Sequence, residues 1–133
     1  MKDLEKVLFI LSLSNRHENW TVKDIQRLVI PPLKLNQYRI YVDEEVPLCY
    51  ASWAMLPKEA EEGYKNKTRK IQSKDWDSGN NLWLIDVICP FGGTRSAIKR
   101  LDTLRKELGL PDKVNFCRGK RLGSNRVNNV KRI

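Results

Sequence analysis

The chain has 133 residues, of which 41% are hydrophobic and 31% charged, and it carries a formal net charge of +9. That length suits one domain with a real core, and the composition is ordinary for a soluble globular protein. No apolar run approaches the ~18–20 residues of a membrane-crossing helix, and the positive excess points to an acidic partner: nucleic acid, an acidic protein or a membrane surface.

The N-terminal MKDLEKVLFILSLSN places Leu4, Val7, Leu8 and Leu11 on one helical face. Asp3 and Glu5 precede the apolar segment and no small-residue cleavage site follows, so a core helix over Leu4–Leu13 is expected rather than a signal peptide. Residues 14–20 are polar and poor in helix formers, hence a loop. Thr21 then caps a second helix, with Asp24 as the capping-box acid and Val22, Ile25, Leu28 and Val29 on its apolar face. Pro31-Pro32 is expected to end it. Gln37–Val42 and Pro47–Met55 read as strands joined by the turn Asp43-Glu44-Glu45, an antiparallel hairpin. Pro57 fits the first turn of a short acidic helix, Lys58–Tyr64. Residues 65–80 are polar and end in a loop.

Leu82–Ser96 holds the densest information. Leu82-Trp83-Leu84-Ile85 is an apolar run fit for a buried strand; Asp86 interrupts it and Val87-Ile88-Cys89 resumes it. Pro90-Phe91-Gly92-Gly93 stops the strand. From Thr94 a helical pattern begins, with Ala97, Ile98, Leu101, Leu104 and Leu108 on one face, and Gly109 closes it. Lys113–Cys117 reads as a last strand. The order α-α-β-β-α-β-α-β differs from regular βαβ repeats. It fits an α+β fold: a mixed, mostly antiparallel sheet with flanking helices, in which the Leu82 strand is central and the following helix crosses over to the last strand.

Cys49, Cys89 and Cys117 are odd in number and lie in apolar surroundings, which argues for thiols in a reducing compartment and against a zinc site or a disulfide frame. The charge is uneven: residues 113–133 hold seven cations and no acid, leaving +2 for the rest. A basic end is the footprint of an acidic partner or simply a solvated terminus.

Two residues stand out for chemistry. Asp86 is a carboxylate inside an apolar strand, either a structural acid bonded to backbone or a reactive one. His17 is the only histidine. It is either a surface or N-cap residue or a general base, because an imidazole takes a proton near neutral pH. A base needs a partner to fix its tautomer or balance its cation, and Asp86 can serve. The glycine turn before Thr94 is either an ordinary turn or, through free N–H groups and the helix dipole, a phosphate site.

HENW at 17–20, NQY at 36–38, SWA at 52–54, DWDSG at 75–79 and WLIDVICPFG at 83–92 occur in that order. Together they resemble the RTX-toxin-activating lysine acyltransferases of the hemolysin C type, from about Leu4 to Leu108, while the residues after Leu110 depart from that pattern. The resemblance implies a fold like the GCN5-related N-acetyltransferases, a bacterial cytoplasmic location and a dimer. It implies transfer of a fatty acyl group from acyl-acyl-carrier-protein to internal lysines of a protoxin, with His17 and Asp86 catalytic. The donor would be acyl-phosphopantetheine on its carrier, with no permanently bound cofactor and no metal. Gly92, Gly93 and Thr94 would then meet its phosphate, although the acetyltransferase loop [RQ]-x-x-G-x-[GA] is not met. The apolar faces of the flanking strands would form an acyl groove, with Ser14 supporting His17. Residues 1–119 would form the acyltransferase domain and 120–133 a basic tail, which with Arg95, Lys99 and Arg100 would meet the acidic carrier. The rivals are an acetyl-CoA-dependent amine acetyltransferase, which would need the missing loop, and a basic nucleic-acid-binding module. Against the latter, the four tryptophans are dispersed in the body and not interleaved with the tail charges.

Overall fold

A computed structural model describes residues 1–117 and the backbone of 127–128. The elements run α1 (Asp3–Ser12), α2 (Val22–Leu28), α3 (Ile30–Leu35), β1 (Tyr38–Asp43), β2 (Val46–Leu56), α4 (Lys58–Asn66), β3 (Asn81–Ile88), α5 (Thr94–Glu107), β4 (Asn115–Cys117) and β5 (Val127–Asn128), with 3₁₀ turns at Asn15–His17 and Ser73–Asp75. The strands form one five-stranded sheet in the order β1-β2-β3-β4-β5. The β1/β2, β2/β3 and β4/β5 pairs are antiparallel and β3/β4 is parallel. The α+β, mixed and mostly antiparallel expectation is therefore met. β3 is central, and α5 is the crossover that a parallel neighbour requires. β5 lies in the basic end, where no strand was expected; the tail's other residues, with their cations, fall outside the described residues.

Helices cover both faces of the sheet. On one, Val7, Ile10 and Leu11 of α1 bury against Tyr50 and Ile88 with Val29, and further along Ala60, Ile71 and Trp76 meet Ala54, Leu56 and Trp83. On the other, Leu101 of α5 packs with Ala51, Trp53, Leu82, Leu84 and Val114. β2 reads out this two-sidedness by alternation: Tyr50, Ser52 and Ala54 point to one layer, Ala51 and Trp53 to the other.

Three local expectations are corrected. Pro31-Pro32 does not end the second helix. α2 stops at Leu28, and the prolines lie in the first turn of α3, where a missing N–H costs nothing. The Thr21/Asp24 capping box forms as expected, but Val22 is exposed. The buried stripe of α1 is Val7, Ile10 and Leu11, leaving Leu4 and Leu8 exposed, and Leu108 on α5 is likewise exposed. The short apolar helices present more apolar side chains than the sheet can cover.

The DWDSG segment explains itself structurally. Asp75 is buried, accepts from Gln72 N–H at 2.8 Å and pairs with Arg69 at 2.8 Å. Trp76 is fully buried and donates its indole N–H to the Arg27 carbonyl at 3.0 Å. Ser78 and Gly79 both donate their amides to the Met55 carbonyl. A Cβ at Gly79 would meet the backbone of Leu56 and Pro57 at 2.3 Å, so only glycine lets this loop lie against the end of β2. Gly79→Ala is therefore expected to destabilise the fold by roughly 2 kcal/mol or more, because the obstructing atoms are main chain and cannot turn aside. Urea unfolding followed by circular dichroism would register it as a lower midpoint; an unchanged midpoint would refute the close approach.

Candidate active site

Asp86 owes its orientation to an irregularity in β3. The β2/β3 register pairs Ser52 with Asp86 and then Trp53 with Leu84, so Ile85 is an extra residue, a β-bulge. Leu84 packs in the α5 layer and Ile85 in the opposite one. Regular alternation would return Asp86 to the α5 layer. After the bulge, however, Val87 packs in the α5 layer and Ile88 against α1, so Asp86 shares the α1 side with Ile88 and with Ser52 opposite it. The extra residue turns the carboxyl toward the N-terminal helices.

There it meets His17. A cavity of about 370 Å³ is lined by His17 and Arg16 from the first 3₁₀ turn, Tyr64 from α4, and Asp86 with its neighbours in β3. Thr94 and Ile98 of α5 and Phe116 and Cys117 of β4 complete it. It can draw walls from both layers because the β3/β4 pairing stops at Leu84 and Phe116 while β3 runs on to Ile88. Among the described residues the cavity lies beyond that last pair, at the carboxyl ends of the two parallel strands, where open sheets with parallel strands take ligands. A second cleft, of about 530 Å³, shares Tyr64, Ile85, Asp86 and Cys117 with the first and is rimmed by Arg27, Lys67, Arg69 and Lys70. Asp86 stands where the two meet.

The two expected catalytic residues thus line one cavity, and their electrostatics differ. His17 is half-buried. Burial, and then the adjacent Arg16 cation, lower its pKa below the ordinary 6.5, which favours the neutral ring. Its Nδ1 lies 2.5 Å from Ser14 Oγ, and Trp20 stands edge-on to the ring with centroids 4.8 Å apart. No hydrogen bond joins Asp86 to His17 among the described residues. The hydrogen-bonding partner of the imidazole is Ser14, and Asp86 lines the same cavity. Burial pushes the Asp86 carboxyl up to about 7, against the opposing pull of Arg27 and then Arg16. Its Oδ2 is buried without a hydrogen-bond partner.

The glycine turn is less well placed than expected. Gly92 and Gly93 have φ of 92° and 87°, which explains the residue type. The Gly92 N–H is already donated to the Cys89 carbonyl at 3.0 Å, and both glycines are exposed and absent from the cavity wall. Thr94, the first residue of α5, is the member of the trio that lines it. Arg95 and Lys99 are exposed, and the Arg100 guanidinium lies 5.3 Å from the centre of the Tyr41 ring. Sequence reasoning missed Tyr64, Phe116 and Cys117, whose approach to Asp86 depends on tertiary packing alone. The cysteines are free. Cys49 and Cys89, 40 residues apart in the chain, are close enough in space that burial first and then Cys89 push the Cys49 thiol up to about 12. Among the described residues no group of three or more His, Cys, Asp or Glu side chains is placed to hold a metal, and no helix is long and apolar enough to cross a membrane.

Comparison with known sequences assigns the chain to a family. The RTX toxin acyltransferase family pattern matches residues 1–132. The RTX-II toxin-activating lysine-acyltransferase ApxIIC of Actinobacillus pleuropneumoniae is 35% identical over 98 residues, which cover 74% of this chain and 61% of that protein. The protein-lysine myristoyltransferase RtxC of Kingella kingae is 33% identical over 102 residues, 77% of this chain and 61% of the relative. The protein-lysine myristoyltransferase HlyC of Escherichia coli is 35% identical over 96 residues, 72% and 56% respectively. The chain spans about three fifths of the length of these relatives.

The raised pKa of Asp86 has a consequence for stability. In an unfolded chain the carboxyl loses its proton near 3.8, and in the fold near 7. Between those values the folded state holds the extra proton, so stability falls as pH rises through that window, and the penalty, at most ~4 kcal/mol, is complete above it. Asp86→Asn is expected to raise the melting temperature at pH 8 by several degrees and to change it little at pH 4. Scanning calorimetry at the two pH values is the measurement; a lower melting temperature at pH 8 would mean that the ionised carboxylate holds the fold together.

Proposed function

Because the chain belongs to the RTX toxin acyltransferase family, we propose that it is a protein-lysine acyltransferase. It moves a fatty acyl group from an acyl carrier protein to the ε-amino group of internal lysines of an RTX-type protoxin. The observation that carries this reading is the single cavity with His17 and Asp86 at its polar end and Leu84, Val87, Ile98 and Phe116 on its walls. Two clefts converging on Asp86 suit a reaction in which two substrates meet. The crossover β3-α5-β4 supports kinship in fold with the GCN5-related N-acetyltransferases.

A lysine amine, with a pKa of ~10.4, arrives protonated and is no nucleophile in that state. Asp86 receives the cation, which favours its ionised form by pairing. The paired ammonium sheds one proton through Asp86 to solvent, and neutral His17, its tautomer held by Ser14, takes a second proton from the nitrogen as the resulting free amine attacks the thioester carbonyl. The tetrahedral adduct collapses to the amide, and the imidazolium returns its proton to the departing pantetheine thiolate. Asp86 balances the imidazolium while it exists. The acyl chain lies along the apolar walls, and the phosphate of the donor's phosphopantetheine approaches Thr94 at the N-terminus of the 14-residue α5. The reading puts the reaction in the bacterial cytoplasm, where carrier proteins are charged with acyl groups. The exposed Leu4, Leu8 and Phe9 of α1, with Leu13 just after it, support a homodimer.

His17→Ala is expected to slow acyl transfer by about 10²–10⁴-fold with circular dichroism unchanged. Acylation of the target lysine is followed by mass spectrometry, and near-parental transfer by the variant would overturn the role of His17.

Acyl carrier proteins are acidic as a class, and Arg95 and Lys99 lie exposed beside the glycine turn. The Michaelis constant for the carrier is expected to rise with salt as the screening length falls from about 10 Å at 0.1 M to about 3 Å at 1 M. Arg95→Glu with Lys99→Glu should raise it further at low salt and leave turnover near the parental value. A Michaelis constant indifferent to both salt and charge reversal would remove this surface from carrier recognition.

A further inference from the structure

Behind Asp86 lies a buried polar group that the reaction above does not use. Ser52 is directly opposite Asp86 across the β2/β3 ladder, and Tyr50 is two residues along β2 on the same face. Both are fully buried, at 0% exposure. Tyr50 OH, Ser52 Oγ and Asp86 Oδ2 are each shut away from solvent with no hydrogen-bond partner. Unpartnered buried polar atoms are costly and rare in folded proteins, and three converging on one side of a sheet call for a common cause. Directly opposed residues on an antiparallel pair hold their Cβ atoms about 4.5–5.5 Å apart, so a turn of the Ser52 hydroxyl brings it within reach of the carboxyl. Tyr50 already feels both neighbours: burial first and then Asp86 raise its phenol, and Ser52 lowers it.

We propose that Tyr50 and Ser52 are positioning residues for Asp86. Their hydroxyls form a donor chain, Tyr50 to Ser52 and Ser52 to Asp86 Oδ2, that closes on the carboxyl when it ionises. The chain moves no proton. It supplies the donors that burial withholds, so that the carboxylate can exist and is held in one orientation when a cation reaches the cavity. Catalytic hydrogen bonds that are open in an unliganded enzyme and tighten with the substrate are a general pattern. The inference rests on the reading of Asp86 as the site's working carboxylate, yet it concerns a property that the protein has without substrate.

The groups that face Asp86 are Arg16 and His17 from the first 3₁₀ turn, Arg27 from α2, Tyr64 from α4, Cys117 from β4 and Tyr50 from β2. Tyr50→Phe and Ser52→Ala alter none of the cations among them and remove one donor each. The test is a ¹³C NMR titration of the Asp86 carboxyl in full-length protein labelled at aspartate, with the resonance assigned by its loss in Asp86→Asn. Each substitution is expected to raise the titration midpoint by about half to one pH unit, and the acid limb of kcat/KM for acyl transfer to follow. In the unsubstituted protein the Tyr50 ring carbon bearing the hydroxyl should titrate with the Asp86 midpoint, a measurement that survives even if a variant fails to fold. Midpoints equal to the parent's in folded variants, or a Tyr50 resonance blind to Asp86, would overturn the donor chain. A shifted midpoint without acyl transfer would uphold the chain and count instead against the proposed activity.

Discussion

Asp86 has one carboxyl oxygen, Oδ2, shut away from water, and two features of the fold set its surroundings. The bulge at Ile85 turns it from the α5 layer to the α1 side, and the end of the β3/β4 pairing at Leu84 and Phe116 opens a space for it to face. Without the bulge, the carboxyl would point into the layer filled by Trp53, Leu82, Leu84 and Leu101, where a charge has no cavity to address. Without the gap, it would be covered. The pKa of about 7 follows from that enclosure, since burial dominates and the cations Arg27 and Arg16 only partly offset it.

The surrounding structure is built to bear this cost. Arg27 donates to the Ile71 carbonyl at 3.1 Å and to Asp24, and its own carbonyl accepts the Trp76 indole. One residue therefore ties α2 to the loop after α4 while placing a cation within range of Asp86. The Trp83 indole donates to Glu61 at 2.7 Å, fixing α4 on β3 and with it Tyr64, whose ring stands edge-on to Trp83 and lines the cavity. DWDSG and SWA, which resemble family motifs as much as HENW does, thus serve mainly as scaffold. Buried Trp76, Asp75 and Trp53 and the close-packed Gly79 hold the strands whose ends form the site. A motif shared with a family can mark where backbone must lie as well as where chemistry occurs.

The environments of His17 and Asp86 differ in a way that suits the proposed roles. Burial and a neighbouring cation favour the neutral imidazole, which bonds to Ser14, while burial favours the protonated carboxyl against the pull of Arg27 and Arg16. Groups whose environments hold them near neutrality in opposite senses are suited to passing a proton at physiological pH. Of the glycine turn and the start of α5, Thr94 lines the cavity, while the Gly92 N–H is spent on closing the turn.

Much of this was legible in the sequence, because it depends on local chemistry. Periodicity and apolar runs located α1, β2, β3 and α5, while cap and turn residues located α4, the Thr21 capping box and the strand-turn-helix around Gly92-Gly93. The lone imidazole and the acid interrupting an apolar strand identified His17 and Asp86. Only the tertiary structure decided which way Asp86 points. Alternation assigns a face only while a strand is regular, and the extra residue at Ile85 is set by pairing with β2, which no local pattern reports. Ser14 beside His17 was already expected from the sequence, whereas the main-chain obstruction at Gly79, the nearness of Cys49 to Cys89 and the convergence of Tyr64, Phe116 and Cys117 on the cavity belong to the same class. Each is a contact between segments far apart in the chain or a side-chain geometry. Composition and spacing fix neither, because they are properties of one segment and a contact is a property of two.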